Sequence, residues 1–241
     1  MMMIGTWKLR AVALLAAGLL VAGAPAHAGD DPHDPYEGFN RAMFAVNEGL
    51  DTVAIKPLAQ VYDGVVPLPA KAGIGNFFDN IADFRNALND TLQGKLSEAG
   101  IDLGRLLINS TIGIFGLFDV ASELGLERHD EDFGQTLAVW GAGDGGYLYW
   151  PLVGPRTVRD TFGLVGDIYT DPTWGTINKT PATRNSLVGL GFVETRASLL
   201  PTDKVVEEAA LDKYAYIRDA YLQRRRSLIF DGRPPREDDD Y

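Results

Sequence analysis

Apolar residues recur at helical spacing in several stretches of this chain. The clearest stretch covers residues 72–93, where apolar positions follow the i, i+3, i+4, i+7 pattern and polar residues occupy the opposite face. Its apolar residues are Ile74, Phe77, Phe78, Ile81, Phe84, Leu88 and Leu92, and its polar face carries Asp79, Asp83, Arg85 and Asn86. The pattern predicts an amphipathic helix over residues 72–93. A shorter periodic stretch beginning at Phe39 predicts a helix that ends before Pro57.

Three further stretches also predict helices. Ser97 has the residue type of a helix N-cap and precedes a third periodic run, while residues 185–200 and 203–230 predict two closing helices. Residues 133–140, FGQTLAVW, are compatible with a strand. Because 27 glycines and 13 prolines interrupt the chain, we expect the helices to be short. The expected fold is therefore mainly α, a single domain of short, interrupted amphipathic helices.

Residues 108–118 are apolar on nearly all sides, and Gly113 and Gly116 interrupt them. A run of about 11 residues is too short to cross a bilayer, which requires about 20 helical residues. The segment is compatible with a position in a membrane interface or with a buried cavity, and a buried core hairpin is the competing interpretation. We predict that the segment contacts the membrane through Ile112, Ile114, Phe115, Leu117 and Phe118.

Residues 1–28 have the pattern of an export signal. A short basic region precedes an apolar run of about 13 residues, and Ala26-His27-Ala28 fits the small-x-small cleavage rule. Because that run is too short to span a bilayer, we expect cleavage after Ala28 rather than a retained anchor. Residues 29–38 are then an extended segment, residues 39–230 the helical domain, and residues 231–241 a disordered acidic tail.

The composition narrows the classes of function. The chain has 241 residues, of which 46% are hydrophobic, with 22 Lys and Arg against 33 Asp and Glu, a net charge of −11. Without residues 1–28 the basic count falls to 20, and 20 minus 33 gives −13. Nucleic-acid binding requires basic patches, so this charge argues against it. With no cysteine, disulfides, thiol nucleophiles and cysteine metal sites are excluded for this sequence.

Few residues suggest catalysis or metal binding. His129 begins the acidic sequence His129-Asp130-Glu131-Asp132, whose residue types could hold a divalent cation. Adjacent residues point in different directions and no second histidine lies nearby, so a solvated acidic turn is the preferred interpretation. No Gly-x-Ser-x-Gly motif of a serine hydrolase occurs. We therefore assign no catalytic residue and no metal ligand.

Residues 141–146, GAGDGG, match the spacing of a dinucleotide-binding loop. That motif requires a helix after its last glycine, whereas Pro151 and Pro155 follow closely. Beyond the loop, Tyr147, Tyr149 and Trp150 suit a boundary between apolar and aqueous surroundings, or an ordinary core. Arg156 and Arg159 could bind a phosphate group, although internal carboxylates are the favoured partners.

Five segments in a fixed order resemble the MlaA (VacJ) family of outer-membrane phospholipid-transport proteins, over about residues 34–230. They are DPYEGFNRAMF at 34–44, INSTIGIFGLFDVA at 108–121, EDFGQTLAVWGAGDGGYLYWPLVGPRTVRD at 131–160, VETRASLL at 193–200 and YIRDAYLQRRRSLI at 216–229.

The resemblance implies a ring-like helical protein with a central amphipathic channel in the inner leaflet of the outer membrane. Such a protein removes phospholipid mislocalised in the outer leaflet, passes it to a periplasmic lipid-binding carrier and works with a trimeric outer-membrane porin. It is not an enzyme and uses no cofactor. The loop at residues 141–146 and the residues that follow it then belong to the channel or lipid path. The candidate residues of this path are Tyr147, Tyr149, Trp150, Arg156 and Arg159.

The chain departs from the family at one place. Family members are lipoproteins cleaved before a cysteine that carries acyl chains, whereas Val21-Ala22-Gly23 is followed here by Ala24. We therefore expect an exported, unlipidated protein on the periplasmic face of the outer membrane. Two alternatives remain, which are a structural adaptor that binds a porin without transferring lipid, and an exported hydrolase.

Overall fold

The computed structural model describes residues 31–172 and 180–235. The predicted signal, residues 1–28, and the last part of the acidic tail, residues 236–241, lie outside the described residues. The first half of the fold is helical and comprises α1 (Glu37–Leu50), a π-helical segment (Asp51–Ile55), α2 (Lys56–Val65), α3 (Leu68–Gln93), α4 (Leu96–Thr111) and α5 (Val120–Glu123). The second half comprises α6 (Phe133–Val139), β1 (Tyr147–Trp150), β2 (Gly154–Thr157), α7 (Val158–Thr170), α8 (Pro181–Ser198), α9 (Leu200–Ala209) and α10 (Lys213–Ile229).

The chain stays helical beyond the end predicted for its first helix. The π-helical segment connects α1 directly to α2, and Pro57 occupies the first turn of α2. Proline has no N–H to donate, and the change from π-helical to α-helical hydrogen bonding falls beside this residue. The sequence analysis treated Pro57 as a boundary only and thus missed α2.

The long helix predicted over residues 72–93 is confirmed as α3. It begins at Leu68, between two prolines, and ends before Gly94, whose φ of +83° is a left-handed conformation that favours glycine. Only Gly94 and Lys95 separate α3 from α4, so the two helices pack closely. The residue that precedes α4 is Lys95 and no side chain caps the helix, so the prediction of Ser97 as its N-cap was wrong.

The burial of α3 reverses the usual arrangement. Its buried residues are Asn80, Asp83, Asn86, Ala87, Asn89 and Asp90. Phe84 and Leu92, which belong to the apolar face, are exposed. Apolar residues normally lie inside a water-soluble domain, so a helix with its polar face buried is the informative exception.

FGQTLAVW forms helix α6, and its interpretation as a strand was wrong. Asp132 caps the helix, because its Oδ1 accepts the Gln135 N–H at 2.9 Å. The strands instead follow residues 141–146, which we call the glycine loop. Strands β1 and β2 pair antiparallel, from Tyr147↔Thr157 to Trp150↔Gly154. The structure has three closing helices where two were predicted, because the helix predicted over residues 203–230 is divided between α9 and α10.

The aromatic core lies where this hairpin meets α1 and α10. Tyr147, Tyr149 and Tyr214 are buried together. The Phe44 ring packs edge-on against Tyr149 and Tyr214, with ring centroids 5.3 and 5.7 Å apart. Leu148 and Trp150, on the other face of β1, form a second small cluster. Alternating residues of one short strand thus supply both clusters.

The helices contact one another in a closed order. Helix α2 packs on α8, α8 on α3, α3 on α6, α6 on α10, α10 on α9, and α9 again on α2. The mainly α, single-domain prediction is confirmed. This closed sequence of helix–helix contacts agrees with the ring-like arrangement that the resemblance implies. The central channel stays a prediction.

Candidate functional site

The turn after α4 exposes a continuous apolar sequence. We call residues 112–118 the apolar loop. All five of its large side chains are exposed, from 42% at Leu117 to 75% at Phe115, and the others are Ile112, Ile114 and Phe118. The competing interpretation of this segment as a buried core hairpin was therefore wrong. An exposed apolar cluster of this kind marks an interaction or membrane-contacting surface.

Two buried glycines fix the shape of the apolar loop. A Cβ on Gly113 would lie 2.2 Å from the Phe118 carbonyl oxygen, and a Cβ on Gly116 would lie 2.6 Å from the Asn80 Cβ. Gly116 also has φ +87°. Ile114 and Phe115 adopt left-handed φ values of 52° and 57°, which are unfavourable for such side chains. The fold thus holds these side chains outward against a local conformational cost.

Asparagine side chains attach the apolar loop to α3 and α4. The Asn76 amide donates to the Leu117 carbonyl at 3.2 Å, and the Asn80 amide donates to the Ser110 hydroxyl at 2.9 Å. Asn109 accepts the Ala121 N–H at 2.9 Å at the far end of the loop. Asn76 thus satisfies a backbone carbonyl of a turn whose side chains face outward, while Asn80 and Asn109 hold the helix ends on either side of that turn.

A buried arginine supports the same turn. The Arg105 side chain lies 3.3 Å from the Asp83 carboxylate and 3.2 Å from the Asp119 carboxylate, and it donates to the Leu126 carbonyl at 2.6 Å. Burial raises the pKa of Asp83 to about 6, although the charges of Arg105 and Arg128 oppose the shift. Burial also acts to raise the pKa of Asp119, but hydrogen bonds led by Ser122 lower it to about 2.

Apolar side chains are also exposed beyond this loop. They follow the π-helical segment, α2 and the start of α3, and comprise Val53, Leu58, Val61, Val65 and Leu68. On α4, Leu103 and Leu107 are exposed one helical turn apart, just before the apolar loop. No described helix is sufficiently long and apolar to span a membrane. These surfaces fit a protein that lies in an interface.

A partly open cavity of about 930 Å³ combines charged and apolar walls. It lies beside α10, the glycine loop and β2. Its charged and polar lining includes Asp144, Arg159, Asp219, Gln223 and Arg225, and its apolar lining includes Leu222, Ile229 and Phe230. A cavity of this size and composition is in the range of sites for small amphipathic ligands.

An ionic network forms the inner wall of this cavity. Arg225 donates to both carboxylate oxygens of Asp132 at 2.5 and 2.6 Å and to Asp160 at 2.8 Å. The Tyr221 hydroxyl donates to the other Asp160 oxygen at 2.6 Å. Burial acts to raise the pKa of Asp160, but Arg225, Tyr221 and Arg159 together hold that pKa below its ordinary value. Asp160 is therefore a charged group in the interior.

The predicted aromatic and arginine candidates separate in the structure. Tyr147, Tyr149 and Trp150 are buried in the core, which matches the alternative of ordinary core aromatics. Arg159 lines the cavity and pairs with Asp144 and Asp160, so the expectation of carboxylate partners is confirmed for this residue. Arg156 is half-buried opposite Leu148 in the hairpin, and its Nε has no hydrogen-bond partner. The role of these residues in a lipid path stays a prediction.

The glycine loop is closed by its own contacts. Asp144 pairs with Arg159, and the Arg159 N–H also donates to the Asp144 carbonyl at 3.1 Å. Strand β1 starts at Tyr147, directly after the last glycine. Residues 141–146 thus lack the helix that a dinucleotide-binding loop requires, as the prolines indicated.

The four residues of the acidic sequence 129–132 contact four different partners. Asp132 faces Arg225, Glu131 faces Lys95 at 2.9 Å, and exposed Asp130 faces Arg224 at 3.1 Å. His129 instead approaches Asp102, with Nδ1 3.2 Å from the carboxylate oxygen. Asp102 is 27 residues from His129 in sequence, so no local pattern predicted their contact, which arises because helix packing brings α4 to this histidine.

These observations define a class of protein. It is a mainly helical protein whose exposed helix surfaces and turns carry large apolar side chains, and whose interior carries amides and ion pairs. Residues 32–228 match the MlaA lipoprotein family, and the chain belongs to that family.

Similarity to individual proteins agrees with this assignment. The chain is 35% identical over 225 residues to the intermembrane phospholipid transport system lipoprotein MlaA of Escherichia coli K12, covering 90% of this chain and 87% of that protein. An uncharacterised protein of Rickettsia bellii is 34% identical over 204 residues, covering 82% of this chain and 77% of that protein. A structure solved to explain the maintenance of bacterial outer membrane lipid asymmetry matches with a TM-score of 0.70 and 33% identity, covering 83% of this chain and 99% of that one.

Proposed function

We propose that this protein is a component of intermembrane phospholipid transport that maintains the lipid asymmetry of the outer membrane. The observation that carries the proposal is the reversed distribution of polarity. Buried residues include Asn80, Asp83, Arg105, Asn109 and Asp160, whereas the apolar loop and the apolar side of α2 are exposed. Family membership and the name of the E. coli relative, an intermembrane phospholipid transport system lipoprotein, support the same conclusion.

The physical problem of lipid transfer explains this distribution. A charged headgroup costs several kcal/mol to bring into hydrocarbon, so its route requires polar groups enclosed by protein. The outside of such a protein can then be apolar and contact acyl chains. We infer that phospholipid mislocalised in the outer leaflet enters from the membrane and leaves to a periplasmic lipid-binding carrier, and that a trimeric porin holds the protein in place.

Loss of the gene tests this function directly. We expect a deletion strain to accumulate phospholipid in the outer leaflet and to become sensitive to detergents, and the wild-type gene to restore both properties. Surface-accessible phospholipid is measured by labelling intact cells. Normal surface phospholipid together with unchanged detergent resistance would contradict the proposal.

Purification in mild detergent distinguishes the transport protein from a structural adaptor. Mass spectrometry of the purified complex is expected to detect both porin and co-purified phospholipid. A complex that contains porin and has no phospholipid above the level of a control membrane protein would favour the adaptor and oppose transport.

We also propose that membrane attachment does not use an acyl chain. The sequence contains no cysteine, and Ala26-His27-Ala28 provides an ordinary cleavage site. Intact-mass measurement of the exported protein is expected to give a mature chain that begins at Gly29 without added acyl mass. A different first residue, or a mass increase of acyl size, would be inconsistent with this proposal.

A further inference from the structure

Three segments that are distant in sequence bring metal-ligating side chains together. Asp90 lies in the last turn of α3, Asp102 lies in α4, and His129 follows α5. One donor atom from each residue lies within 4.8 Å of the donor atoms of the other two. The cluster is separate from the apolar loop and from the cavity beside α10.

Two of these side chains are buried without adequate partners. Asp90 is 0% exposed, and among the described residues neither of its carboxylate oxygens accepts a hydrogen bond, while the Asp102 carboxyl lies beside it. Asp102 is also 0% exposed, and its Oδ2 likewise accepts no hydrogen bond from the described residues. Burying a carboxylate is unfavourable unless it is paired, hydrogen-bonded or bound to a metal. The unpaired oxygens of Asp90 are therefore satisfied either by a bound cation or by a proton shared with the neighbouring Asp102 carboxyl.

The neighbouring polar side chains are engaged elsewhere. The Lys95 ammonium donates to Glu131 at 2.9 Å and to Asp231 at 2.5 Å. Asn86 uses its amide on the His129 carbonyl and accepts the Glu131 N–H. The Lys95 and Asn86 side chains thus make their hydrogen bonds to groups other than the two aspartates.

We propose that Asp90, Asp102 and His129 bind one divalent transition-metal ion of the zinc or manganese class. Two carboxylates and one imidazole form a mixed oxygen and nitrogen set, which suits these ions, whereas calcium and magnesium prefer oxygen ligands alone. The His129 side chain is 28% exposed, which leaves a route for the ion and space for a water ligand. Bonds of about 2.0–2.2 Å require the donor atoms to approach by up to about an ångström.

The metal ion would join the end of α3 to α4 and to the segment that leads into α6. That segment continues to Asp132, which caps α6 and binds Arg225 in the cavity wall. The site thus stabilises the junction between the helices that carry the apolar loop and the helices that line the cavity. This inference does not depend on the proposed transport function, since it concerns the folded chain alone.

Metal content and thermal stability test the proposal together. The purified protein is treated with chelator, equilibrated with ZnCl₂ or MnCl₂ and dialysed, and bound metal is measured by mass spectrometry. We expect one equivalent of one of these ions per chain. At free metal about 100 times the dissociation constant, Tm is expected to rise by roughly 5–10 °C for a chain of this size.

Matched variants locate the site. Asp90→Asn and His129→Gln should lose the bound equivalent and the rise in Tm, whereas His33→Gln and Asp130→Asn, at an exposed histidine and an exposed acid, should retain both. Asp90→Asn removes one of two neighbouring buried carboxylates, so its metal-free form is expected to fold. If it does not fold, His129→Gln, at a partly exposed side chain, supplies the same comparison.

Three outcomes would overturn the metal site. One is the absence of stoichiometric zinc and manganese in the wild-type protein, and another is an equal response of wild type and both ligand variants to the ion. The third is a wild-type Tm that no metal changes while Asp90→Asn is more stable than wild type, which would identify a proton shared between the two carboxyl groups instead.

Discussion

Single residues determine how closely α6 and α7 approach each other. A Cβ on Gly163 would lie 2.4 Å from the backbone nitrogen of Gly134, and a Cβ on Gly134 would lie 2.4 Å from the Arg225 guanidinium. The two glycines thus allow direct backbone contact between the helices. The same contact brings Asp132 and Asp160 near Arg225. The ionic network beside the cavity therefore requires glycine, which has no Cβ, at both positions.

Gly163→Ala is expected to destabilise the protein. The added methyl group meets backbone that no side-chain rotation can move, and overpacking of this kind costs about 1–3 kcal/mol. Gly189→Ala is the matched control, since a Cβ there meets nothing within 4 Å and α8 is exposed at that position. The control should be unchanged or more stable by up to about 1 kcal/mol. Thermal unfolding in mild detergent compares the two variants, and equal stability of both would contradict this packing.

Asp167 gives a prediction of pH dependence. Burial and the charge of Asp132 raise its pKa to about 6, while its Oδ1 accepts the Phe133 N–H at 3.0 Å. A raised carboxyl pKa means that the folded state holds the proton more tightly. The contribution of Asp167 to the free energy of unfolding therefore falls as pH rises from about 4 to about 6, and this loss persists above pH 6.

Asp167→Asn removes this ionisation and keeps the acceptor oxygen. The variant should be more stable than wild type by about 1–2 kcal/mol at pH 7.5 and nearly equal to it at pH 4. Urea unfolding at the two pH values measures the difference. Glu208→Gln, at an exposed position in α9, is the control and should change little at either pH. A difference for Asp167→Asn that is the same at both pH values would contradict the raised pKa.

At the scale of elements, α3 and the apolar loop form one packed unit. Asn76 of α3 donates to the Leu117 carbonyl within the loop, and Asn80 donates to the Ser110 hydroxyl just before it. From α4, Asn109 accepts the Ala121 N–H and Arg105 donates to the Leu126 carbonyl, both beyond the loop. Polar side chains of the two helices thus hold the turn and its flanking residues in place, and the turn presents its apolar side chains outward.

The apolar loop is expected to hold the protein at the membrane. Each exposed apolar side chain contributes roughly 1.5–3 kcal/mol when it moves from water to hydrocarbon, whereas a single acyl chain gives only marginal binding. Phe115→Asp combined with Phe118→Asp should shift the protein to the soluble periplasmic fraction. The variant should keep its helical content and cooperative unfolding, because the two rings are 75% and 59% exposed.

Phe115→Leu combined with Phe118→Leu is the matched control. It retains apolar side chains and should remain in the membrane fraction. Fractionation, circular dichroism and thermal unfolding distinguish the possible results. A folded Asp variant that stays in the membrane fraction would oppose the anchoring role, and porin binding would then be the next attachment to examine.

At the scale of the whole molecule, charge and apolar surface have separate roles. The chain carries a net charge of −11, so anionic headgroups repel it and attachment must come from apolar contact or from protein partners. The closed order of helix contacts allows polar side chains to face inward on several helices at once. Exposed apolar side chains and buried polar groups on the same helices are consistent with the proposed passage of a headgroup past hydrocarbon.

The sequence by itself determined the mainly α class, the long helix α3 and the family, because these depend on local periodicity and on ordered motifs. It also singled out Ile112 to Phe118 as an unusual apolar run. Only the tertiary structure decided which side of each element lies inside. An amphipathic helix such as α3 has the same pattern whether its apolar face meets a protein core or lipid, so periodicity cannot distinguish them. Asp90, Asp102 and His129 likewise meet only because α3, α4 and the segment after α5 pack together, and sequence separation conceals such contacts.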